Sequence, residues 1–291
     1  MTKTVQFHDG NAIPLLGFGT YKIVEQEAVE TALDAALANG YRLIDTAKYY
    51  VNEPQLGIAI EKLLPKHGLT RKDVFLTTKI WPSGEDDYNF TVKGVEESLV
   101  NLKTDYLDLV LIHYPKSNTH ADDDHATNKA TRKAMWQALE AAKAKGQVRS
   151  IGVSNFLPRH IEELKEFSST IPVLNQVEVH PHFTRNDIRK YCADNKIVFQ
   201  GYSVLGRHNE ELIKDVIVET IAKKYDVPVE ILLIAFLVAQ DYTVVVKSAT
   251  PSRIAANTAA LSVPLTKADI EQLYNLNKDK NYIRTTPWLV Q

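Results

Sequence analysis

Short apolar runs alternate with longer stretches of helical period along almost the whole chain. The opening is the exception. Val5-Gln6-Phe7 and Ala12-Ile13 flank Asp9-Gly10-Asn11, and Asp-Gly accepts the positive φ angles of a tight turn, so a small hairpin is predicted. Residues 15–20 then read as an apolar, glycine-punctuated strand. Residues 26–38 carry helical spacing that stops at Asn39-Gly40, a helix C-cap signal. The alternation continues from there. Strands are expected at Leu43-Ile44, at 74–76 running on to Lys79, and at 107–112, 148–153, 173–179, 197–199 and 244–246. Helices are expected over 54–64, opened by Pro54, and over 90–102, 131–145, 158–167, 186–194, 210–224, 228–239, 253–260 and 269–277. Residues 282–291 show no clear period.

The apolar runs are continuous rather than alternating, so both faces of each strand are covered, as in a parallel sheet. Eight βα units at this length fit a closed α/β (β/α)8 TIM barrel with an N-terminal β-hairpin. A doubly wound open sheet is the alternative. No linker-like stretch or shift in composition divides the chain, so residues 1–291 read as a single barrel domain.

Composition narrows the function classes. The net charge of −2 implies no nucleic-acid or membrane partner. The densest charge run, Asp122-Asp123-Asp124, reads as a solvated loop. Cys192 is the single cysteine, which excludes an internal disulfide and a cysteine metal cluster. It lies in an amphipathic helical stretch and suits packing. The N-terminus, MTKTVQFHDG, lacks the apolar core of a signal peptide. No segment approaches the roughly eighteen uninterrupted apolar residues of a membrane helix. A soluble, cytoplasmic protein is expected.

The strand ends carry the informative residues. Asp45, Lys79, His113, Ser154-Asn155, Gln176, Tyr202 and Lys247-Ser248 lie at or near the C-terminal ends of successive strands, and a barrel gathers those ends on one face. Asp45, with Tyr50 five positions on, suggests proton chemistry. Each residue alone has a structural explanation, because buried Asp and Tyr are common hydrogen-bond partners and a lone Lys usually reaches to water. Their arrival on one face is the stronger signal. Gly17-Phe18-Gly19 is followed by Thr20-Tyr21-Lys22, so the dinucleotide fingerprint is not completed. No GxxxxGK[ST], HExxH or GxSxG is present. Neighbouring histidines in His180-Pro181-His182 point apart on a strand-to-loop turn and no third ligand is evident, so no metal is expected.

Over nearly its whole length the chain resembles an aldo-keto reductase. The matching segments are Leu16-Gly17-Phe18-Gly19-Thr20-Tyr21, Ile44-Asp45-Thr46-Ala47 through Tyr50 to Asn52-Glu53, and Thr78-Lys79-Ile80-Trp81. They continue with Leu111-Ile112-His113-Tyr114-Pro115, Ile151-Gly152-Val153-Ser154-Asn155-Phe156 and Asn175-Gln176-Val177-Glu178, and end with Tyr202-Ser203 and Lys247-Ser248 with Arg253.

The resemblance implies a carbonyl reductase using NADPH/NADP+, with a catalytic tetrad at Asp45, Tyr50, Lys79 and His113. Elementary chemistry agrees with those roles. A carbonyl reduced by hydride needs a proton for the developing alkoxide. Tyr has an ordinary pKa near ~10, and a cation beside it favours the ionised form. Lys79 would supply that charge to Tyr50, Asp45 would hold Lys79, and His113 would orient the carbonyl oxygen.

The resemblance also implies cofactor contacts. Ser154, Asn155 and Gln176 would bond the carboxamide, and Tyr202 would stack on the nicotinamide. Thr20, Tyr21 and Asp45 would line its ribose end, with Ser203, Leu205 and Gly206 along the pyrophosphate. Lys247, Ser248 and Arg253 suit a 2′-phosphate, and Asn257 would meet adenine. Tyr21, Trp81, Tyr114 and Trp288, with His113, would bound the small-molecule carbonyl substrate; a tail tryptophan packing on the barrel side is the alternative for Trp288. A monomer is expected. The chain departs from the pattern at Ala256, where many relatives carry an adenine-contacting glutamate, and at Val204, where proline is usual. Short loops after Tyr202, over 116–129 and at the tail suggest an open pocket and faster cofactor exchange.

Overall fold

The computed structural model describes residues 3–283 and 285–291. Strands β1 (Thr4–Gln6) and β2 (Ala12–Pro14) pair antiparallel, with Val5 opposite Ile13. The turn between them is longer than a two-residue one. Phe7 N–H donates to Asn11 O, and Gly10 takes φ +91°, a conformation open to glycine.

Eight parallel strands follow: β3 (Leu16–Gly19), β4 (Leu43–Asp45), β5 (Phe75–Ile80), β6 (Leu107–Ile112), β7 (Val148–Ser154), β8 (Leu174–Glu178), β9 (Val198–Tyr202) and β10 (Thr243–Lys247). Strand β10 pairs with both β9 and β3, which closes the sheet. The barrel is therefore the outcome, not the open sheet. The helices between strands are α1 (Gln26–Ala38), α2 (Glu53–Lys66), α3 (Asp87–Asn101), α4 (His125–Ala144), α5 (Pro158–Lys165) and α6 (Asn186–Asp194). After β9 come α7 (Glu210–Ile213), α8 (Val216–Lys224) and α9 (Val229–Val238), and after β10 come α10 (Pro251–Asn257) and α11 (Lys267–Tyr274).

Helix α1 ends where Asn39-Gly40 predicts: Gly40 takes φ +83° and its N–H reaches Leu37 O. Three differences from the sequence reading have local causes. Helix α4 starts six residues early because Asp124 caps it, accepting from Thr127 N–H at 3.1 Å; its first turn is polar and shows no apolar period. The acidic run is thus partly a cap, and Asp122 pairs with Lys116 at 3.3 Å. The stretch 210–224 divides because Asp215 starts a new helix, accepting from Ile217 N–H at 3.0 Å.

One apolar layer lies between strands and helices, with Trp136 and Phe236 among its largest fully buried members. A second cluster inside the barrel joins Leu43, Phe75, Leu109, Leu111 and Val198 to Phe7 and Ile13 of the hairpin. Phe7 meets Phe75 edge to face at 6.2 Å. The hairpin therefore plugs the N-terminal end of the barrel and leaves the C-terminal end open. Cys192 is fully buried, and burial pushes its thiol up to about 12, as a packing residue requires. No helix among the described residues is long and apolar enough to cross a membrane.

Candidate active site

Asp45 is the last residue of β4 and Lys79 the next to last of β5. The register sets Asp45 beside Thr77, which brings the two side chains together inside the barrel mouth. Lys79 Nζ donates to Asp45 Oδ1 at 2.6 Å and to Thr46 O at 2.8 Å. Both groups are buried. Its third proton faces Tyr50 OH at 3.4 Å. Tyr50 ends a single 3-10 turn, Lys48–Tyr50, and the next residue, Val51, has φ +54°. That conformation is costly for a β-branched residue, so something must hold it. Asn52 does so. Its Nδ2 donates to Thr20 O and Ile23 O, both at 2.9 Å, and its Oδ1 accepts from Thr46 at 2.8 Å. Glu53 accepts from Thr78 at 2.6 Å and Ser98 at 2.9 Å. Asn52 and Glu53 are the buttress that fixes Tyr50.

The electrostatics differ from the sequence expectation at one point. Burial, then the charge of Asp45, then Tyr21 hold Tyr50 well above the ordinary tyrosine range. Lys79, 3.4 Å away and paired with Asp45 at 2.6 Å, does not overcome these effects. Burial pushes Lys79 itself below its usual value, against the pull of Asp45. His113 follows β6, its ring edge-on to Tyr50 with centroids 5.8 Å apart. Burial, then Lys79, push it well below the usual histidine range. Tyr50 is thus a neutral hydroxyl and His113 a neutral imidazole.

A cavity of about 630 Å³ lies over these groups. Asp45, Tyr50, His113, Thr20, Tyr21 and Trp81 line one end. Ser154, Asn155, Gln176 and Tyr202 line it too, as do Ser203 and Leu205 after β9 and Lys247, Ser248 and Arg253 at the end of β10 and in α10. Asn155, at φ +63°, is tied from three sides. Its Nδ2 reaches His113 O and Ser154 Oγ at 3.0 Å, and its Oδ1 accepts from Tyr202 OH at 2.8 Å. Lys247 and Arg253 have no carboxylate partner among the described residues. Burial and the neighbouring Lys22 hold Lys247 below its usual value. Unbalanced cations at one end of a cleft suit a polyanion.

Four expected contacts lie off the cavity wall. Trp288 packs on Phe183, ring centroids 5.7 Å apart, on the barrel side. Tyr114 stacks flat behind Trp81 at 4.9 Å and is screened by it. Asn257 is buried near Tyr41, whose hydroxyl donates to Ile254 O at 3.1 Å. Gly206 serves loop packing: a Cβ there would come within 2.8 Å of Leu212 and Tyr282. The cavity is also lined by residues the sequence did not single out, namely Tyr49, Asn118, Arg207, His208, Thr250, Ile283 and Thr285. Tyr49 sits 5.6 Å from Trp81 and 6.2 Å from His113, ring to ring; its place before Tyr50 was the available signal. The short tail does not leave that side open, since Ile283 and Thr285 line it. The tail is held by Tyr282, whose N–H donates to Glu178 at 2.7 Å and whose hydroxyl meets His182 Nδ1 at 2.7 Å. His182 Nε2 faces Asp215 and His180 Nε2 faces Glu178, so both histidines of the His-Pro-His turn are tail anchors.

Comparison with known proteins gives one consistent result. A family model described as the Aldo/keto reductase family matches residues 15–278. Glyoxal reductase of Bacillus subtilis (strain 168) is 33% identical over 277 residues, 95% of this chain and 94% of that protein. Estradiol 17 beta-dehydrogenase 5 of Mus musculus is 33% identical over 306 residues, 97% of this chain and 93% of that protein. The crystal structure of a Bombyx mori aldo-keto reductase in complex with NADP is 31% identical, with a TM-score of 0.87 over 99% of this chain and 97% of that one.

Proposed function

The chain belongs to the aldo/keto reductase family, and from that premise we propose that it reduces aldehydes and ketones to alcohols with NADPH, Tyr50 giving the proton. The observation that carries this is the Tyr50 hydroxyl 3.4 Å from a buried Lys79–Asp45 pair, in a cleft that Lys247 and Arg253 also line. A bound nicotinamide supplies the hydride. The chain's own residues do the rest. Tyr50 and the neutral His113 bind the carbonyl oxygen and polarise it. As charge develops there, the Tyr50 proton moves to it, and Lys79, 3.4 Å away, stabilises the oxygen left behind. Asp45 keeps Lys79 in place throughout. Tyr21, Tyr49 and Trp81 present aromatic faces to the cavity in which the carbonyl would lie.

Which residues would hold the cofactor follows from the donors present. Gln176, Ser154 and Asn155 line the same cavity as Tyr50 and suit a carboxamide; Tyr202 offers a ring face. Lys247 and Arg253 suit the 2′-phosphate, because guanidinium grips phosphate as a fork. The solved NADP complex of a relative supports this choice. Mixing protein, NADPH and a reactive aldehyde is expected to bleach NADPH absorbance; no bleaching across a broad panel of aldehydes and ketones would refute the activity. An Arg253→Ala variant is expected to weaken NADPH by about tenfold and NADH hardly at all, the size of one charged hydrogen bond. Equal losses for the two cofactors, measured by fluorescence titration, would remove the 2′-phosphate assignment. We assign it the aldehyde reductase type, acting as a cytoplasmic monomer; sedimentation of the purified protein checks the last point.

A further inference from the structure

A line of buried polar side chains crosses the barrel interior from the plugged end to the active site. Thr243 Oγ1 donates its only proton to Pro14 O at 2.9 Å. That oxygen can then only accept from its other side, and Gln200 Nε2 donates to it at 3.1 Å. The Gln200 amide is thereby oriented, with Oε1 turned toward β8. There it accepts from Gln176 Nε2 at 2.6 Å. The same Gln176 nitrogen also donates to Asp45 Oδ2 at 2.9 Å. Gln200 and Thr243 are both fully buried.

The two ends of this line demand the same orientation of Gln176. A flipped Gln176 amide would set its carbonyl oxygen against the Asp45 carboxylate and against Gln200 Oε1. Both amide protons are therefore committed, and Gln176 Oε1 takes no hydrogen bond from any described residue while its side chain lines the cavity. An acceptor held this way selects a ligand that brings an N–H.

We infer that Gln200, which does not touch the cavity, is a positioning residue: it fixes the Gln176 amide so that Oε1 receives an amide N–H of the cofactor and Asp45 keeps its second oxygen satisfied while it holds Lys79. This rests on the NADPH reading above. A buried hydrogen-bond network has this effect only when every member is satisfied, and replacing one member leaves a buried donor unpaired.

The experiment compares Gln200→Leu with Gln200→Glu, which keeps an acceptor facing Gln176. In Gln200→Leu, NADPH is expected to bind about tenfold more weakly, while 2′-phospho-ADP-ribose, which lacks the nicotinamide, stays within about twofold. Gln200→Glu is expected to restore most of the NADPH affinity. In the cofactor-free protein, the side-chain amide protons of Gln176, identified by their loss in Gln176→Leu, are expected to exchange with water faster in Gln200→Leu than in the unaltered protein. Equal weakening of NADPH and the fragment would make Gln200 merely structural, and unchanged Gln176 exchange would overturn the inference outright. Should Gln200→Leu fail to fold, Thr243→Val, which keeps the volume and frees the Gln200 amide, is expected to give the same split at smaller size; no split there overturns the inference too. Failure of the unaltered protein to bind NADPH would sink the functional reading alone, since the exchange measurement decides Gln200 without cofactor.

Discussion

Replacing Tyr50 with Phe is expected to leave the fold and NADPH binding in place and to lower turnover about a thousandfold, within the range a positioned general acid contributes. The structure makes this variant a clean one. Among the described residues the Tyr50 hydroxyl has one hydrogen-bond neighbour, Lys79 at 3.4 Å, and Lys79 keeps its stronger bonds to Asp45 and Thr46 when the hydroxyl goes. The ring contacts to Tyr21 and His113 remain. Retained turnover in a folded, NADPH-binding Tyr50→Phe protein would remove the proton-donor role. The electrostatics add a pH signature. Tyr50 is held above its usual range and His113 below its own, so neither changes charge between about pH 6 and 8. The reduction rate is expected to be flat across that window. A limb with the slope of one histidine, absent in a His113→Gln variant, would show that His113 titrates during turnover and that its neutral state is not fixed by burial.

The strand ends were legible because two simple rules met there. Continuous apolar runs told which segments are covered on both faces, and the first polar residue after each run had to sit at the barrel mouth. Asp45, His113 and Lys247 follow directly. Loops were not legible in the same way. Asn118, Arg207, His208, Ile283 and Thr285 reach the cavity through segments without period, whose course depends on single contacts such as Tyr282 to Glu178. Trp288 shows the converse: an aromatic residue in such a segment goes to the nearest apolar partner, here Phe183. Tyr50's raised proton affinity was hidden too, because it depends on how completely Asp45 offsets Lys79. Gln200 has a trace in the sequence. A glutamine between Phe199 and Gly201 in a strand covered on both faces must have partners inside, as Asp108 has in Arg71 at 2.7 Å.

Asp45 is where stability and function separate. Asp45→Leu is expected to lose activity and to destabilise the protein by about 3–5 kcal/mol, the cost of leaving a buried charge without its partner. Lys79 would retain Thr46 O and Tyr50 OH, neither of which offsets an ammonium in an apolar setting. Adding Lys79→Met removes that stranded charge. A buried ion pair replaced by apolar groups of similar volume is often neutral, so Asp45→Leu with Lys79→Met is expected to regain most of the lost stability in urea unfolding while turnover stays absent. The two changes are in contact, so their effects are not additive, and the size of the recovery measures the coupling. Recovery will be incomplete by the bond from Gln176 to Asp45 Oδ2, which the leucine cannot accept. A double variant less stable than Asp45→Leu alone would mean that the pair holds the barrel mouth together as well as the proton donor. A double variant that regains stability but not turnover would place the value of the Lys79–Asp45 pair in chemistry, with the apolar interior of the barrel carrying the fold without it.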